Sequence, residues 1–376
     1  MDISRQRVVV GMSGGVDSST AAVLLQQRGY EVIGITLKVW PQDCIDRAED
    51  RCCGPQAVED ARSVCHQLNV PHYVMQSVED FQRHVVANFV AEYRAGRTPN
   101  PCVWCNDRLK FGTLLERADQ LGAYHVATGH YARIEPGPDP GRWLLKRGCD
   151  LRKDQSYFLF TLKQNQLARA LMPLGEFTKP QTREVAHQSG LRTAAKEESM
   201  EICFVPDNNY GNFLTTTAGL QKHRGDIVNL NGQVLGHHDG IEFFTIGQRK
   251  RLRLSHPTPL YVVDIDPAAN RVVVGDPAAL ERDEFHIDRC NWISFETPPP
   301  SLTVLTKIRY NHPGVPATVT PLPAGRAHVR LHQPQRAVTP GQACVFYDGD
   351  VVVGGGWIQR DMKPQPTEAA PDKMRP

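Results

Sequence analysis

Two groups of residues in this sequence have the types and spacing for chemistry. The first is Gly11-Met12-Ser13-Gly14-Gly15-Val16-Asp17-Ser18, which directly follows the apolar run Val8-Val9-Val10. Adjacent glycines let a backbone approach a ligand closely, and free N–H groups at a helix start attract an anion. Ser13 and Ser18 add hydroxyls. The string has no Gly-Lys-Ser/Thr, so it is not the common loop that grips a terminal phosphate with its own lysine. That absence points to a different cleavage, in which pyrophosphate is held. Asp17 could bind Mg²⁺ or act on the nucleotide indirectly. A plain strand-to-helix turn also uses glycine, but it needs neither the hydroxyls nor the acid.

The second group is the cysteines, ten in 376 residues. Arg97-Thr98-Pro99-Asn100-Pro101-Cys102-Val103-Trp104-Cys105-Asn106 reads as a proline-stiffened loop leading into a helix, with Cys105 just before the helix. A cysteine at a helix start is favoured as thiolate. Far downstream, Cys203 sits in Met200-Glu201-Ile202-Cys203-Phe204. The residues alone leave three arrangements open. Cys102 and Cys105 could be half of a zinc site completed by Cys52, Cys53 or His130. They could be a redox pair, although the surrounding loop lacks that pattern. Or Cys105 and Cys203 could work together across a substrate. Taken alone, Cys203 reads as a buried small hydrophobe between Ile202 and Phe204.

Gly247-Gln248-Arg249-Lys250-Arg251-Leu252-Arg253 is the densest basic stretch. It suits phosphate contacts, or else a solvated strand edge kept from pairing by its charges.

These residues need elements to place them. The first third alternates strand and helix: strands at 8–10, 31–37, 72–75 and 124–128, and helices at 18–28, from Pro55, around Phe81 to Val90, and at 109–121. Such alternation predicts a parallel sheet covered on both faces, with ligands at the carboxyl ends of the strands. Ala132-Arg133-Ile134 and Trp143-Leu144-Leu145 read as a hairpin, and Thr178 as an N-cap ahead of Pro180. Beyond about Asn208 short β runs follow, with Asn231-Gly232 as a type I′ hairpin signal. The expected fold class is α/β: a Rossmann-like N-terminal domain at 1–207, a small central β-rich domain at 208–282, a C-terminal β-barrel at 283–360, and a disordered tail at 361–376.

The net charge of +2 neither suggests nor excludes nucleic acid. No run approaches the roughly 18 apolar residues of a membrane span. The start of the chain is too short for a signal-peptide core. A cytoplasmic protein with no membrane partner is expected, and no resident metal.

The string Ser-Gly-Gly-Val-Asp-Ser after a buried strand resembles the PP-loop ATP pyrophosphatase family. The order of that loop, Thr98-Pro99-Asn100-Pro101 with Cys105-Asn106, Gly129-His130-Tyr131-Ala132, Lys153-Asp154-Gln155 and Glu201-Ile202-Cys203-Phe204 resembles the tRNA 2-thiouridylase family, from about Val8 to about Val353. The resemblance implies ATP, with Mg²⁺ travelling on the nucleotide, bound by Gly11 to Ser18, Leu37 and Gly129. It implies a nucleophile at Cys105 and a persulfide on Cys203. Asn100, Pro101 and Cys102 would contact the target base, and Lys153, Asp154, Gln155, Arg309 and Tyr310 the tRNA. It implies adenylation of the C2 oxygen of the wobble uridine in the tRNAs for Lys, Glu and Gln. Sulfur would come from a cysteine desulfurase or relay protein. Cys44, Cys52, Cys53, Cys65, Cys149, Cys290 and Cys344 are expected to be structural. Family members often carry Gly-Leu-Gly where this chain has Arg251-Leu252-Arg253, so a different local turn is expected here. A PP-loop ligase or amidotransferase acting on a small substrate is the competing reading. A zinc-stabilised RNA-binding module would leave the phosphate loop unexplained.

Overall fold

Val8, Val9 and Val10 have no exposed surface at all, and they form the central strand of a five-stranded parallel sheet. The structure is a computed structural model that describes residues 6–39, 54–197, 202–205 and 209–360. Cys44, Cys52, Cys53, Glu201 and the expected tail at 361–376 lie outside the described residues.

The sheet runs β3 (His72–Gln76), β2 (Glu31–Lys38), β1 (Arg7–Gly11), β4 (His125–Ala127), β7 (Ala170–Leu171), with every pairing parallel. The chain builds from β1 towards β3 on one side, then returns to β4 on the other. The switch point therefore falls between β1 and β4, where such sheets bind ligands. Helix α1 (Val16–Gln27) follows β1 and is buried along most of its length, from Val16 to Leu25. It starts two residues earlier than the sequence predicts, so Val16, Asp17 and Ser18 are its first turn. Helix α2 (Pro55–Gln67) starts on its proline. Helix α3 spans 78–94, with a π-helical turn at Gln82–Val86.

Helix α4 spans 101–120 and begins at Pro101, well ahead of the expected Leu109. Proline suits the first helical position because its missing N–H would be unbonded there anyway. Cys102 and Cys105 therefore lie within a helix rather than in a loop before it. Helix α5 (Lys179–Gln188) is capped by Thr178, whose partner in the capping box is Gln181.

The hairpin of β5 (Ala132–Pro136) and β6 (Trp143–Arg147) does not join the parallel sheet. It extends the C-terminal sheet, through Lys146 opposite Val351 and Arg147 N–H to Asp350 C=O at 2.8 Å. That sheet contains β12 (Glu281–Trp292), β13 (Leu302–Lys307), β14 (Val315–Leu322), β15 (Arg326–Arg336), β16 (Ala343–Asp348) and β17 (Val351–Ile358). Pairing of β12 with β17 closes these strands into a barrel, which leaves no free edge among them. Between the two units lies a four-stranded sheet in the order β10 (Tyr261–Asp266), β11 (Arg271–Gly275), β8 (Gly225–Asn229), β9 (Val234–His238).

The Asn231-Gly232 turn differs from the expected type I′. Only Gly232 has positive φ, at 81°, and its N–H bonds to Asn229 C=O at 3.0 Å. That is a type I turn closed by a left-handed glycine, a common alternative for a slightly longer loop.

One apolar core joins the first unit to the barrel. It runs from Val9 and Ile35 through Val103, Tyr157 and Phe160 to Ala343, Val345 and Trp357. Trp104 of α4 stacks on Trp357 of β17 at 5.5 Å and 18°. Such a pair adds about 0.5–1.5 kcal/mol beyond its buried area. Here it fixes the first turn of α4 against the barrel.

The loop at 247–253 is not a strand edge; it leads into β10. Arg251 and Arg253 have φ of 71° and 54°. Both arginines thus adopt left-handed backbone of the kind that suits glycine. Each such residue costs roughly 1–2 kcal/mol.

Candidate active site

The loop from Gly11 to Ser18 is shaped by its own hydroxyls. Ser13 N–H bonds to Ser18 Oγ at 3.1 Å, and Ser18 Oγ donates to Gly15 C=O at 3.2 Å. Met12 N–H continues the sheet to Ile35 C=O at 2.8 Å. Gly14 is left-handed at φ 68°, and a Cβ there would sit 2.2 Å from Ala57 C=O of α2. A Cβ on Gly129, just after β4, would lie 2.7 Å from the Asp17 and Ser18 backbone. These two glycines let three segments close around one point.

The lysine missing from the loop arrives from far downstream. Lys179, the first residue of α5, places Nζ 2.7 Å from Asp17 Oδ1. Tyr131 donates its hydroxyl to the same oxygen at 2.8 Å. Lys196 donates to Gly14 C=O at 3.1 Å and to Asp60 at 2.5 Å. Asp17 is thus committed to a lysine and a tyrosine, which sequence reasoning missed. One signal was available: a lysine in the first turn of a helix opposes the macrodipole and calls for a carboxylate partner.

Two cavities meet at this point. The wide one, about 1180 Å³, lies between the first unit and the barrel. Ser13, Gly15, Val16 and Asp17 form one wall, Asn100, Pro101 and Cys102 a second, and Lys153, Asp154, Gln155 and Tyr310 a third. The narrow one, about 330 Å³, is lined by Gly11, Met12, Ser13, Asp17, Ser18, Leu37, Gly129, Cys105 and Cys203, with Phe81, Val85 and Phe204 beside them. Cys102 lines both cavities, whereas Cys105 and Cys203 line only the narrow one. Gly14 and Arg309 line neither: Gly14 packs on α2, and Arg309 donates to Arg336 C=O at 3.4 Å.

The barrel holds the cysteine loop in place. Gln342 donates to Thr98 C=O and Pro99 C=O at 3.2 and 3.1 Å, and Thr98 N–H bonds to Pro340 C=O at 2.8 Å. Arg97 forks onto Glu92 at 2.7 and 2.6 Å. Asn106 donates to Phe158 C=O at 3.1 Å.

Two residues expected at a tRNA surface are engaged internally. Asp154 is buried and accepts from Ser156 N–H at 3.0 Å. Gln155 exchanges bonds with the Tyr131 backbone at 3.0 and 2.9 Å. Tyr310 lies 4.4 Å from the Phe158 ring, tilted by 36°. Burial holds the Lys307 ammonium below its ordinary pKa, with Asp154 opposing the shift.

The remaining cysteines separate by burial. Cys65 and Cys344 are buried, and burial pushes Cys65 up to about 12 and Cys344 well above its ordinary value. Cys290 is half-buried and also pushed up to about 12 by burial. Cys149 is exposed, unlike the structural cysteine expected there. Among the described residues no group of three or more His, Cys, Asp and Glu could hold a metal ion, and no helix is long and apolar enough to cross a membrane.

Three family models match the chain in sequence. A tRNA methyl transferase HUP domain covers residues 6–207, a tRNA methyl transferase PRC-barrel domain 211–276, and an aminomethyltransferase β-barrel domain 282–358. The tRNA-specific 2-thiouridylase MnmA of Geobacter metallireducens is 51% identical over 363 residues, 96% of this chain and 98% of that protein. The protein of the same name from Geotalea uraniireducens is 51% identical over 359 residues, 94% and 95% of the two chains. That from Moorella thermoacetica is 49% identical over 352 residues, 93% and 99%.

Proposed function

This chain belongs to the tRNA-specific 2-thiouridylase family, and from that premise we propose how its two cavities divide the work. The narrow pocket takes ATP and the wide cavity takes the uridine of a tRNA. The observation that carries this reading is the shared wall. Cys105 and Cys203 line the same pocket as Ser13, Asp17 and Ser18, while Cys102 opens onto both cavities.

The residues fit a nucleotide. The apolar side of the narrow pocket suits an adenine, and its volume is in the range of small-molecule sites. Gly129 leaves room where a Cβ would strike the start of α1. The N–H groups of that first turn would meet phosphate oxygens, and Lys179, which lines the wide cavity, would hold Asp17 beside them. With no protein cage of three or more ligands among the described residues, Mg²⁺ would ride on the phosphates and neutralise their charge.

The uridine must leave its stack for C2 to be reached. Its C2 oxygen attacks the α-phosphorus of ATP and pyrophosphate departs. The oxygen, now bonded to AMP, has become a good leaving group. Sulfur arrives on Cys203 as a persulfide from a cysteine desulfurase or relay protein. Either its terminal sulfur attacks C2 and displaces AMP, after which the Cys105 thiolate attacks Cys203 Sγ and the sulfur leaves on C2, or Cys105 first attacks Cys203 Sγ and frees the terminal sulfur as hydrosulfide, which then attacks C2. Both routes release AMP and leave a Cys105–Cys203 disulfide, which an external thiol reductant opens. Asn100, Pro101 and Cys102 flank the base, and Lys153 and Tyr310 face the RNA from across the cavity. Asp154 and Gln155 act by holding their turn. The substrate is the wobble uridine of the tRNAs for Lys, Glu and Gln. The chain divides functionally at 207/208 and 282/283.

The test is product analysis with unmodified tRNA. AMP, pyrophosphate and 2-thiouridine should form together, and only when tRNA and a persulfide donor are present. ADP and phosphate as products would reject the phosphate-loop assignment. AMP formed on a small carboxylate in place of tRNA would favour the ligase reading.

A further inference from the structure

The loop at 247–253 carries four exposed cations, Arg249, Lys250, Arg251 and Arg253. Among the described residues none of the four has a carboxylate partner at ion-pair distance. Leu252 between two of them is buried, in the core of the central sheet with Ile227 and Val262. The loop is thus plugged into its own domain by a leucine, with the arginines on either side turned outward. It is also held rigidly. Gly247 N–H bonds to Val262 C=O at 2.8 Å, Val262 N–H to Gln248 C=O at 2.9 Å, and Gln248 Nε2 to Lys250 C=O at 2.9 Å.

Arg251 and Arg253 both occupy left-handed backbone, which favours glycine. Among the described residues no ion pair offsets that cost at either position. Retained strain of this kind is a pointer to function.

The loop is continuous with the proposed tRNA site. A Cβ on Gly247 would lie 3.0 Å from Ala337 Cβ, so the loop abuts the barrel beside the exposed Arg336. Arg309 reaches the Arg336 carbonyl, and its neighbour Tyr310 lines the wide cavity. Exposed positive charge therefore runs from the central domain along the barrel towards the wide cavity.

We propose that the Arg249–Arg253 loop is a preformed clamp for the sugar-phosphate backbone of the tRNA whose uridine enters the cleft. The proposal rests on the reading of the wide cavity as a tRNA site, and extends it to a domain that carries no part of the chemistry. Phosphate is the ligand that suits four rigidly presented cations with no carboxylate partner among the described residues, and such contacts position an RNA without reading its sequence.

The experiment measures tRNA affinity against salt for three proteins: wild type, Arg251→Gln/Arg253→Gln, and Arg251→Gly/Arg253→Gly. Each phosphate contact adds about 0.7–0.9 to the slope of log K against log salt. Both variants should lose up to about 2 from that slope, so about a tenfold part of the affinity lost between roughly 50 and 200 mM salt disappears. The glycine pair should also melt at a higher temperature, because it removes the strain, while the glutamine pair keeps it. Slopes equal to wild type in both variants would overturn the proposal and leave the arginines as solvated surface. A melting change in the glycine pair with no slope change would overturn it too. Wild-type protein that binds no tRNA at any salt would sink the cleft reading itself, which separates the two failures.

Discussion

Lys179 Nζ lies 2.7 Å from Asp17 Oδ1, joining the first turn of α5 to the first turn of α1 across 162 positions of sequence. The lysine is 7% exposed, so its charge is met by protein groups and not by bulk water. This contact sets the position of the phosphate loop as well as its charge. Asp17→Ala should therefore abolish ATP turnover and also lower stability. The expected cost is on the order of 1–3 kcal/mol, for removing one charged partner from a buried ammonium, less what solvent at the partly exposed carboxylate returns. Asp17→Asn keeps an acceptor oxygen and should recover stability but not turnover. Chemical denaturation and AMP release, measured on both variants, check this; equal stability of Asp17→Ala and wild type would show that the pair does not matter to the fold.

Gly14 supports a sharper steric prediction. Alanine there would need left-handed backbone and would place its Cβ 2.2 Å from Ala57 C=O. Overpacking against backbone and the conformational penalty together should cost about 3 kcal/mol. Gly15→Ala is the control, since the nearest atom to its Cβ would be Ser13 Oγ at 3.5 Å. A thermal melt of both variants separates them; comparable melting temperatures would contradict the packing seen at α2.

How much of this was legible from sequence differs from residue to residue. The parallel sheet was legible because Val8 to Val10 and its neighbours are buried on both faces and read as unbroken apolar runs. The phosphate loop was legible because its glycines and hydroxyls are contiguous. The contacts of Lys179, Lys196 and Tyr131 with the loop were not, because a pairing of segments far apart leaves no pattern that names the partner. The hairpin at 132–147 was legible as a hairpin, but its sheet was not: a hairpin's turn signals say nothing about which neighbour pairs with its outer edge. The start of α4 at Pro101 was hidden by two prolines that resemble a loop, although one of them sits where a helix tolerates it best.

Stability should fall on the acid side of neutrality because of buried histidines. His130 is buried, with Nδ1 2.7 Å from Thr128 Oγ1, and burial first, then the Lys110 charge, holds its pKa well below 6.5. Above about pH 6.5 both the folded and unfolded rings are neutral and contribute nothing. Below it the unfolded chain takes up a proton that the buried ring refuses, so stability drops as pH falls. The slope is at most about 1.4 kcal/mol per pH unit for this residue. His72, His125, His238 and His312 are shifted the same way, burial leading in each. Melting from pH 7.5 to pH 5 should show the fall, and His130→Gln should flatten it by up to one proton. An unchanged slope in that variant would remove His130 from the account.

Thiol labelling should follow burial. Cys102 and Cys149 are exposed and should react first with iodoacetamide at pH 8. Cys65 and Cys344 should stay unlabelled until the protein unfolds, since burial both covers them and suppresses their thiolates. Peptide mass mapping over time gives the order. Early labelling of Cys65 would mean that α2 opens readily from the sheet.

The assignment of two thiols to sulfur transfer makes the most specific prediction. Transfer needs a carrier and a partner that ends as its disulfide, both within reach of one base. Cys105 and Cys203 line one pocket beside the phosphate loop, and neither lines the wide cavity. Serine keeps the size of each side chain in the pocket wall and takes away only the thiol, so Cys105→Ser and Cys203→Ser should each bind ATP and tRNA normally and each lose thiolation by at least about 100-fold, as expected for removal of a nucleophile. They should differ with a labelled sulfur donor. Cys203→Ser should retain no label, because the carrier is gone. Cys105→Ser should hold it on Cys203 as a persulfide, because the thiol that would resolve it is absent. Cys52→Ser and Cys53→Ser should remain active. Normal thiolation by Cys105→Ser would break the pair and pass its role to Cys102, which lies one helical turn away and lines the same pocket.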